Sequence, residues 1–225
     1  MHLKPSLSFL LIYLVLGATL LAQDQPSKFG TVELRGDSIV VPGAPFEISL
    51  YLTDKTAVVG GFNLLIEFDY GALVFDSAVL GQHTKGQWEY FTFRSALLKP
   101  DDEKSTAAFI RLLAIADNQD PGNKHPDSTS LVGPGEIVKL YLYATDRGDY
   151  SGKTTGLRFL WEKCADNTFS DKSGNRLMLA SSVMGADAKL ITAERYGGPS
   201  ESCFKTGYNP PTRAFGFVNL SFGIQ

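Results

Sequence analysis

Few residues of this sequence have the types and spacing that catalysis needs. Beyond residue 22 the histidines are His83 and His125, and each lies in a stretch that reads as a polar loop. The sequence contains no Gly-x-Ser-x-Gly nucleophile turn, no His-Glu-x-x-His zinc motif and no glycine-rich phosphate loop. These patterns predict no nucleophilic, metal-hydrolytic or phosphoryl-transfer chemistry.

Paired carboxylates are the remaining basis for an enzyme. They occur as Asp101-Asp102 and as Asp69 with Asp76. Glycoside hydrolysis needs two carboxyl groups roughly 5 to 9 Å apart in a cleft, and the sequence does not place these groups. Aspartate is also a common turn residue, so we interpret them as turn residues and predict that the protein is not an enzyme.

Two loops are rich in oxygen ligands. One contains Asp117 and Asp120, and the other contains Asp166 and Asp171. Calcium binds six to eight such oxygens, but neither loop has the spacing of an EF-hand. Asp and Asn also favour turns through local hydrogen bonds. We therefore predict no cofactor, with these four residues as weak calcium candidates.

The two cysteines, Cys164 and Cys203, are predicted to form a disulfide. An isolated pair in an oxidising compartment most simply pairs with itself, and two separate buried thiols are the alternative. No Cys-x-x-C motif suggests a redox or zinc site.

The elements that must position these residues are predicted to be β-strands. Apolar and polar residues alternate with period two over residues 46–53, 62–69, 138–144 and 157–161. Residues 88–93 have aromatic side chains at both odd and even positions, so the pattern does not show which side of this segment faces inward. Residues 107–116 are apolar almost throughout and are interpreted as a strand because strands flank them. Many strands separated by turn residues indicate an all-β sandwich or barrel.

The start of the chain predicts secretion, and its charge excludes one class of partner. The 225 residues have a net charge of −3, which argues against a nucleic-acid partner. Residues 1–22 have a charged start, an apolar run and Ala22 at the end, which is typical of a cleaved signal peptide; a retained membrane anchor is the alternative. No second long apolar run follows, so we expect residues 23–225 to be one extracellular or cell-surface domain without a membrane span.

Several segments resemble a cohesin domain in their order and spacing. They are residues 41–48 (VPGAPFEI), 60–69 (GGFNLLIEFD), 72–78 (ALVFDSA), 109–117, 135–144 and 215–220 (FGFVNL). The resemblance implies a jelly-roll sandwich of about nine strands and a non-catalytic binding module. Its implied partner is a dockerin-type protein, in a secreted or surface system that handles polysaccharide. Two features depart from the family: Tyr70 stands where proline is frequent, and residues 162–213 are longer than the matching cohesin segment.

Six outward strand residues form the predicted binding face. They are Tyr51, Asn63, Leu65, Lys139, Tyr141 and Tyr143. In cohesins, outward residues of the strand that matches 62–69 help contact dockerin, and Asn63 has such a position. A face of this kind also suits a carbohydrate-binding module that recognises polysaccharide through Tyr51, Tyr141, Tyr143 and Trp88, which is the alternative function. Tyrosine is also simply a good strand former.

Overall fold

The computed structural model describes residues 29–53, 59–86, 88, 90–116, 133–193, 195–205 and 210–225. Within them the chain forms thirteen strands, with short 3₁₀ turns at Gly148–Tyr150 and Glu201–Phe204. The strands are β1 (Thr31–Arg35), β2 (Ile39–Val40), β3 (Pro45–Thr53), β4 (Gly61–Asp69), β5 (Leu73–Leu80), β6 (Tyr90–Leu97), β7 (Ala107–Ile115), β8 (Gly135–Ala144), β9 (Thr154–Phe159), β10 (Thr168–Ser170), β11 (Leu177–Met184), β12 (Thr212–Val218) and β13 (Leu220–Ile224). The predicted signal peptide, Asp117, Asp120 and His125 lie outside the described residues.

One layer of the fold has the strand order β11-β12-β1-β3-β8-β5. β1 lies in its middle, antiparallel to β3 and parallel to β12. Strand β3 alternates between exposed or partly exposed and buried residues from Glu47 onward, with Ile48, Leu50 and Leu52 at 0–1% exposure. Period-two burial of this kind results when one side of a strand packs on a core and the other contacts water.

The second layer has the order β2-β13-β9-β4-β7-β6. The two layers pack face to face through aromatic side chains. Phe46 on β3 contacts Phe222 on β13 at a centroid distance of 5.4 Å, and Phe159 on β9 contacts Phe217 on β12 at 4.8 Å. The predicted all-β sandwich is therefore confirmed.

The strand count is larger than the predicted nine because the chain adds short strands around the long ones. β10 has three residues and pairs with both β4 and β11, so it connects the two layers at one side. Residues 215–220, which the sequence analysis gave as a cohesin-like segment, are divided at Asn219 between β12 and β13, and these two strands belong to different layers. Among the described residues no helix is long and apolar enough to cross a bilayer.

Candidate protein-binding surface

The outer side of β6 and β7 carries large apolar side chains that contact water. The register pairs Tyr90 with Ile115, and Thr92 with Leu113. Tyr90 is 54% exposed, Ile115 49% and Leu113 36%. We call these four residues, together with Arg94 in the next row of β6, the β6–β7 face. Contiguous apolar residues on a sheet face are a common feature of interaction sites.

This face arises because β7 is apolar on both sides. Its even-numbered residues, among them Ile110 and Leu112, are fully buried in the core. Its odd-numbered apolar residues must therefore point outward, where the adjacent strands β4 and β6 leave Leu113 and Ile115 uncovered. A strand with only one packed side would normally have polar residues there.

A cation borders the apolar residues. The guanidinium of Arg94 lies 5.7 Å from the ring centre of Phe109, and Arg94 is exposed. Within the described ranges no carboxylate lies at ion-pair distance from Arg94. The β6–β7 face therefore combines an apolar centre with a positive charge that is available to an acidic group.

The neighbouring strand β4 is covered by residues 160–168, which we call the cover segment. Leu65 points outward from the sheet but is only 2% exposed. Its backbone N–H donates to Oδ1 of Asn167 at 2.8 Å, and its carbonyl accepts from the N–H of Leu160 at 3.1 Å. The prediction that Leu65 belongs to an accessible face is wrong, because a segment distant in sequence packs over it.

Asn63 also contacts the cover segment. Its Nδ2 donates to the carbonyl of Ala165 at 2.8 Å, and its Oδ1 accepts from Nη1 of Arg111 at 2.9 Å. Nη2 of Arg111 in turn lies 2.8 Å from Oδ1 of Asp166. The amide of Asn63 is thus engaged inside the molecule, with its donor and acceptor both used.

The predicted disulfide is confirmed between Cys164 and Cys203. It joins the cover segment to the 3₁₀ turn at Glu201–Phe204, and Cys203 is buried. The cover segment is therefore held by a covalent bond at one side and by polar contacts to β4 and β7 at the other.

The other predicted residues lie together on the opposite layer, on an outer side that we call the β3–β8 face. The register places Tyr141 beside Glu47, and Tyr143 beside Pro45. Tyr143 is 38% exposed, whereas the ring of Tyr51 is covered by the guanidinium of Arg35 at 3.8 Å. The six predicted residues are therefore divided between two outer faces: Tyr51, Lys139, Tyr141 and Tyr143 on this one, Asn63 and Leu65 on the other.

Polar contacts occupy part of the β3–β8 face. Nζ of Lys139 donates to Oε2 of Glu47 at 2.7 Å, and this hydrogen bond raises the pKa of the ammonium. Oγ of Ser49 donates to Glu136. Charged pairs and short hydroxyl side chains on an outer sheet face are what a solvated surface normally has.

Trp88 does not belong to a surface. It is 4% exposed, and its ring contacts Phe62 at a centroid distance of 5.4 Å inside the core. Its assignment to an aromatic sugar-stacking surface is therefore wrong. A large apolar ring two residues before β6 is more stable between the layers than in water.

The described calcium candidates are engaged within the chain. Asp166 accepts from the N–H groups of Glu162 and Lys163 in addition to its ion pair, and Oδ1 of Asp171 accepts from two backbone N–H groups of its own turn. Within the described ranges no three His, Cys, Asp or Glu side chains group together as metal ligands do. Calcium binding stays a prediction, with Asp117 and Asp120 outside the described residues.

The carboxylates considered for catalysis have local roles. Oδ1 of Asp69 accepts from the N–H of Gly71, Oδ2 of Asp76 accepts from the hydroxyl of Ser77, and Oδ1 of Asp102 accepts from the N–H of Lys104. Asp69 and Asp102 have the turn contacts that the sequence interpretation predicted, whereas Asp76 lies within strand β5, so the interpretation of Asp76 as a turn residue is wrong.

Sequence reasoning missed the β6–β7 face, although a signal for it was present. The continuous apolar character of residues 107–116 is typical of a strand that is covered on both sides. Because β7 has the core on one side only, its second apolar side stays exposed at Leu113 and Ile115.

Comparisons with known proteins give structural matches alone. No protein-family model matches the chain, and no curated protein shows significant similarity to it. Among solved structures, the chain is similar to the sixth cohesin of Acetivibrio cellulolyticus scaffoldin B, which is in complex with a Cel5 dockerin mutant. The identity is 11% and the TM-score 0.47, over 88% of this chain and 99% of that one.

Two further solved structures are similar to the chain. The Coh-OlpC–Doc435 complex from Clostridium thermocellum, a type I cohesin–dockerin complex, matches at 14% identity and a TM-score of 0.47, over 89% of this chain and 97% of that one. The cohesin module of a Clostridium perfringens family 33 glycoside hydrolase matches at 14% identity and a TM-score of 0.43, over 66% and 87%. Similarity of this degree does not identify what this chain binds.

Proposed function

We propose that the chain is a cohesin-like, non-catalytic protein-binding module whose binding surface is the β6–β7 face. The observation that carries the proposal is the exposure of Tyr90, Leu113 and Ile115 in adjacent rows of two paired strands. Burying three such side chains would contribute several kcal/mol, at about 25 cal/mol per Å² of apolar surface. The sequence resemblance to cohesins, given by residues 41–48 and 60–69, supports the same class of function.

The chemistry of the face indicates the kind of partner. An apolar centre requires an apolar patch on the partner, and the exposed Arg94 favours a carboxylate at its edge. The resemblance suggests a dockerin-type module as that partner. We therefore propose as the partner a dockerin that has an acidic residue near its apolar contact residues.

The cover segment moves the proposed contact toward β6. In cohesins the outward residues of the strand that matches β4 help contact dockerin, but here Asn63 and Leu65 contact the cover segment instead. A partner would therefore contact β6 and β7 and meet the cover segment at the edge. This arrangement would make the module selective for a partner that differs from those of shorter cohesins.

The proposed location is outside the cell or at its surface. The apolar leader of residues 1–22 and the disulfide between Cys164 and Cys203 support it, because disulfides persist in oxidising compartments. A role in a polysaccharide-related system is proposed on the resemblance alone.

The test is a binding measurement with purified residues 23–225 on a biosensor. The probes are calcium-loaded dockerin modules, and insoluble cellulose is tested in parallel. We expect a dockerin to bind, and the double variant Leu113→Asp, Ile115→Asp to lose that binding by at least about 100-fold, because two carboxylates then enter an apolar contact.

The matched control is Val74→Asp with Val79→Asp, two exposed valines on β5 of the other layer. It adds the same charge and should leave binding unchanged. Equal losses in both double variants would overturn the assignment of the surface. Retention on cellulose without binding to any dockerin, removed by Tyr141→Ala with Tyr143→Ala, would overturn the protein-binding function and support the carbohydrate alternative.

A further inference from the structure

The sandwich is open along one side, where the terminal strands of the two layers meet. β5 ends the first layer and β6 ends the second, and within the described ranges no ladder pairs one with the other. They contact through side chains instead, because the rings of Phe75 and Phe93 lie 5.7 Å apart, edge to face. At the opposite side of the first layer, β10 pairs with both β4 and β11. Two strand edges therefore lie side by side at the open side.

Every second residue of β6 directs its main-chain groups away from β7. The N–H of Leu98 donates to the carbonyl of Ala107 at 2.9 Å, and the antiparallel register continues from there to Tyr90 without a shift. Hydrogen-bonded pairs alternate in such a ladder, so the even-numbered residues of β6 bond to β7. The odd-numbered residues therefore present their N–H and C=O groups at the free edge. They are Phe91, Phe93, Ser95 and Leu97.

The edge of β6 lacks the features that normally prevent strand addition. Exposed edge strands are usually short, bulged or interrupted by proline. β2 is two residues long, and β5 has a register shift between Phe75 and Ser77. β6 has eight residues, no proline and a regular register with β7, and its single charged residue is Arg94. Of these terminal strands, β6 is the one suited to pair with a further strand.

An apolar groove runs along this edge on the inner side of β6. Its volume is about 290 Å³, slightly below the usual range of small-molecule sites, about 300 to 1,000 Å³. Ser95 and Ala108 line it with small side chains, and Leu97 beside them is 40% exposed. Further apolar walls are contributed by Phe68, Leu73 and Phe75. A groove of this size and character suits the side chains of an extended segment that lies along the edge.

The two sides of β6 specify the side chains of an added strand. Directly opposite residues of paired strands point to the same side of a sheet, so a residue opposite Ser95 enters the groove. A residue opposite Arg94 points to the outer side, where the exposed guanidinium has no carboxylate at ion-pair distance within the described ranges. The occupant should therefore have an apolar–acidic–apolar pattern. β6 itself contains no Asp or Glu, so a second copy that paired through the same strand would not supply the acid.

We propose that the open side binds an extended segment of a partner protein, which adds to β6 as an antiparallel strand with an apolar–acidic–apolar sequence. Main-chain hydrogen bonds to Phe93 and Ser95 supply affinity, and the groove and the charge of Arg94 supply selectivity. The added strand uses the edge and the inner side of β6, whereas the β6–β7 face is the outer side, and the two sites share Arg94. The double variant Leu113→Asp, Ile115→Asp should keep strand binding, so the failure of either proposal is distinguishable from the failure of the other.

The test is a titration of residues 23–225 with the fluorescein-labelled peptide Ser-Thr-Val-Glu-Val-Thr-Ser, followed by anisotropy, with NMR of isotope-labelled protein in parallel. We expect saturable binding, with shifts and slowed solvent exchange at the amides of Phe93 and Ser95. The amides of Thr92 and Arg94, which bond to β7 already, should change little in exchange rate. The same peptide N-methylated at both valines cannot donate to the edge and should bind about tenfold more weakly or worse.

Charge reversal tests the role of Arg94. Arg94→Glu should weaken binding of the glutamate peptide about tenfold or more, and it should improve binding of the same peptide with lysine in place of glutamate. The control is Arg176→Glu, which reverses an exposed arginine just before β11 and should leave both affinities unchanged. Ser95→Pro removes one N–H at the free edge without removing a bond to β7, and it should also weaken binding.

The same measurements define the results that would overturn the proposal. Absence of saturable binding to the wild-type protein would do so, as would equal binding of the N-methylated peptide or equal effects of Arg94→Glu and Arg176→Glu. If Ser95→Pro does not fold, the N-methylated peptide still decides, because it leaves the protein unchanged.

Two other occupants of the edge have distinct signatures. Amides of Phe93 and Ser95 that are protected from exchange at low protein concentration, without peptide, would show that another part of the chain covers the edge. Protection that appears only as the protein concentration rises, together with a doubled mass in sedimentation, would show that a second copy covers it. Either result would overturn the assignment of the edge to a partner strand.

Discussion

Arg111 on β7 and Asp166 in the cover segment form an ion pair, with Nη2 and Oδ1 2.8 Å apart. The carboxylate of Asp166 is 1% exposed and also accepts from the N–H groups of Glu162 and Lys163. A charge that is so fully removed from water is tolerated only when all its hydrogen-bond sites are used. This ion pair is therefore one of the contacts that hold the cover segment on the sheet, beside the disulfide and the hydrogen bonds to Asn63 and Leu65.

Replacing Asp166 by Asn should destabilise the protein by about 3 kcal/mol, because Arg111 is then left partly buried without its counter-charge. The measurement is urea unfolding followed by fluorescence. The control is Asp149→Asn, which breaks the exposed Arg147–Asp149 pair and should cost less than about 0.5 kcal/mol. Equal losses in the two variants would contradict a structural role for the buried pair.

Removing the disulfide by Cys164→Ser with Cys203→Ser should cost about 4 kcal/mol, the value expected for a sequence separation of 39 residues. The Arg111–Asp166 pair remains in that variant, so we expect the sheet to stay folded. Comparing the unfolding midpoints with and without reductant checks the size of the loss. A wild-type midpoint that does not respond to full reduction would contradict it.

Trp88→Ala should destabilise the protein by about 3–5 kcal/mol, since a ring packed on Phe62 leaves a cavity in the core. Tyr143→Ala, at a position that is 38% exposed, should cost far less. Thermal unfolding of the two variants distinguishes them. A loss of stability in Trp88→Ala as small as that in Tyr143→Ala would contradict the burial of Trp88 in the core.

The long strands could be predicted from the sequence because one packed side produces a period-two pattern that local composition reveals. Strands β3, β4 and β8 were found in this way within a few residues of their observed ends. Strand β10 was not, because its three residues lie among the turn residues of 162–175, and the sequence pattern of residues 177–184 did not predict β11. Their pairing with β4 and β12 is a contact between distant parts of the chain.

The site could be predicted only in part. The parity argument placed Leu65 on the outer side of β4 correctly, but nothing local indicates that residues 160–168 cover it. Predicting the β6–β7 face requires knowing that Tyr90 is paired with Ile115, and the hydrophobic pattern of the sequence does not give that strand register. The sequence feature that could have indicated this face is the presence of apolar residues at both odd and even positions of β7.

The loss of folding stability at alkaline pH should depend on Tyr196. Its pKa is raised above 10.0, first by partial burial and then by the neighbouring carboxylate of Glu67. A phenol whose pKa is raised by folding adds stability below pH 10.0, and that stability is lost as the pH rises through the folded value. Tyr196→Phe should therefore lose less stability than wild type on going to strongly alkaline pH.

Denaturant unfolding across the alkaline range, together with tyrosinate absorbance, checks this expectation. The pKa of Tyr150 is also raised, chiefly by burial, so Tyr150→Phe is the comparison variant. An equal loss of stability at alkaline pH in wild type and Tyr196→Phe would contradict a raised pKa for Tyr196.

The central position of β1 has a consequence for how the domain forms. Thr31 pairs with Thr53 on one side and with Gly216 on the other, so β1 is fully paired only when β12, more than 180 residues further along, arrives. Pairing over such a separation has a large loop-closure cost and is typical of slow folding. During synthesis the nascent chain would therefore hold an incomplete sheet until β12 has left the ribosome, and we expect this layer to close only after that point.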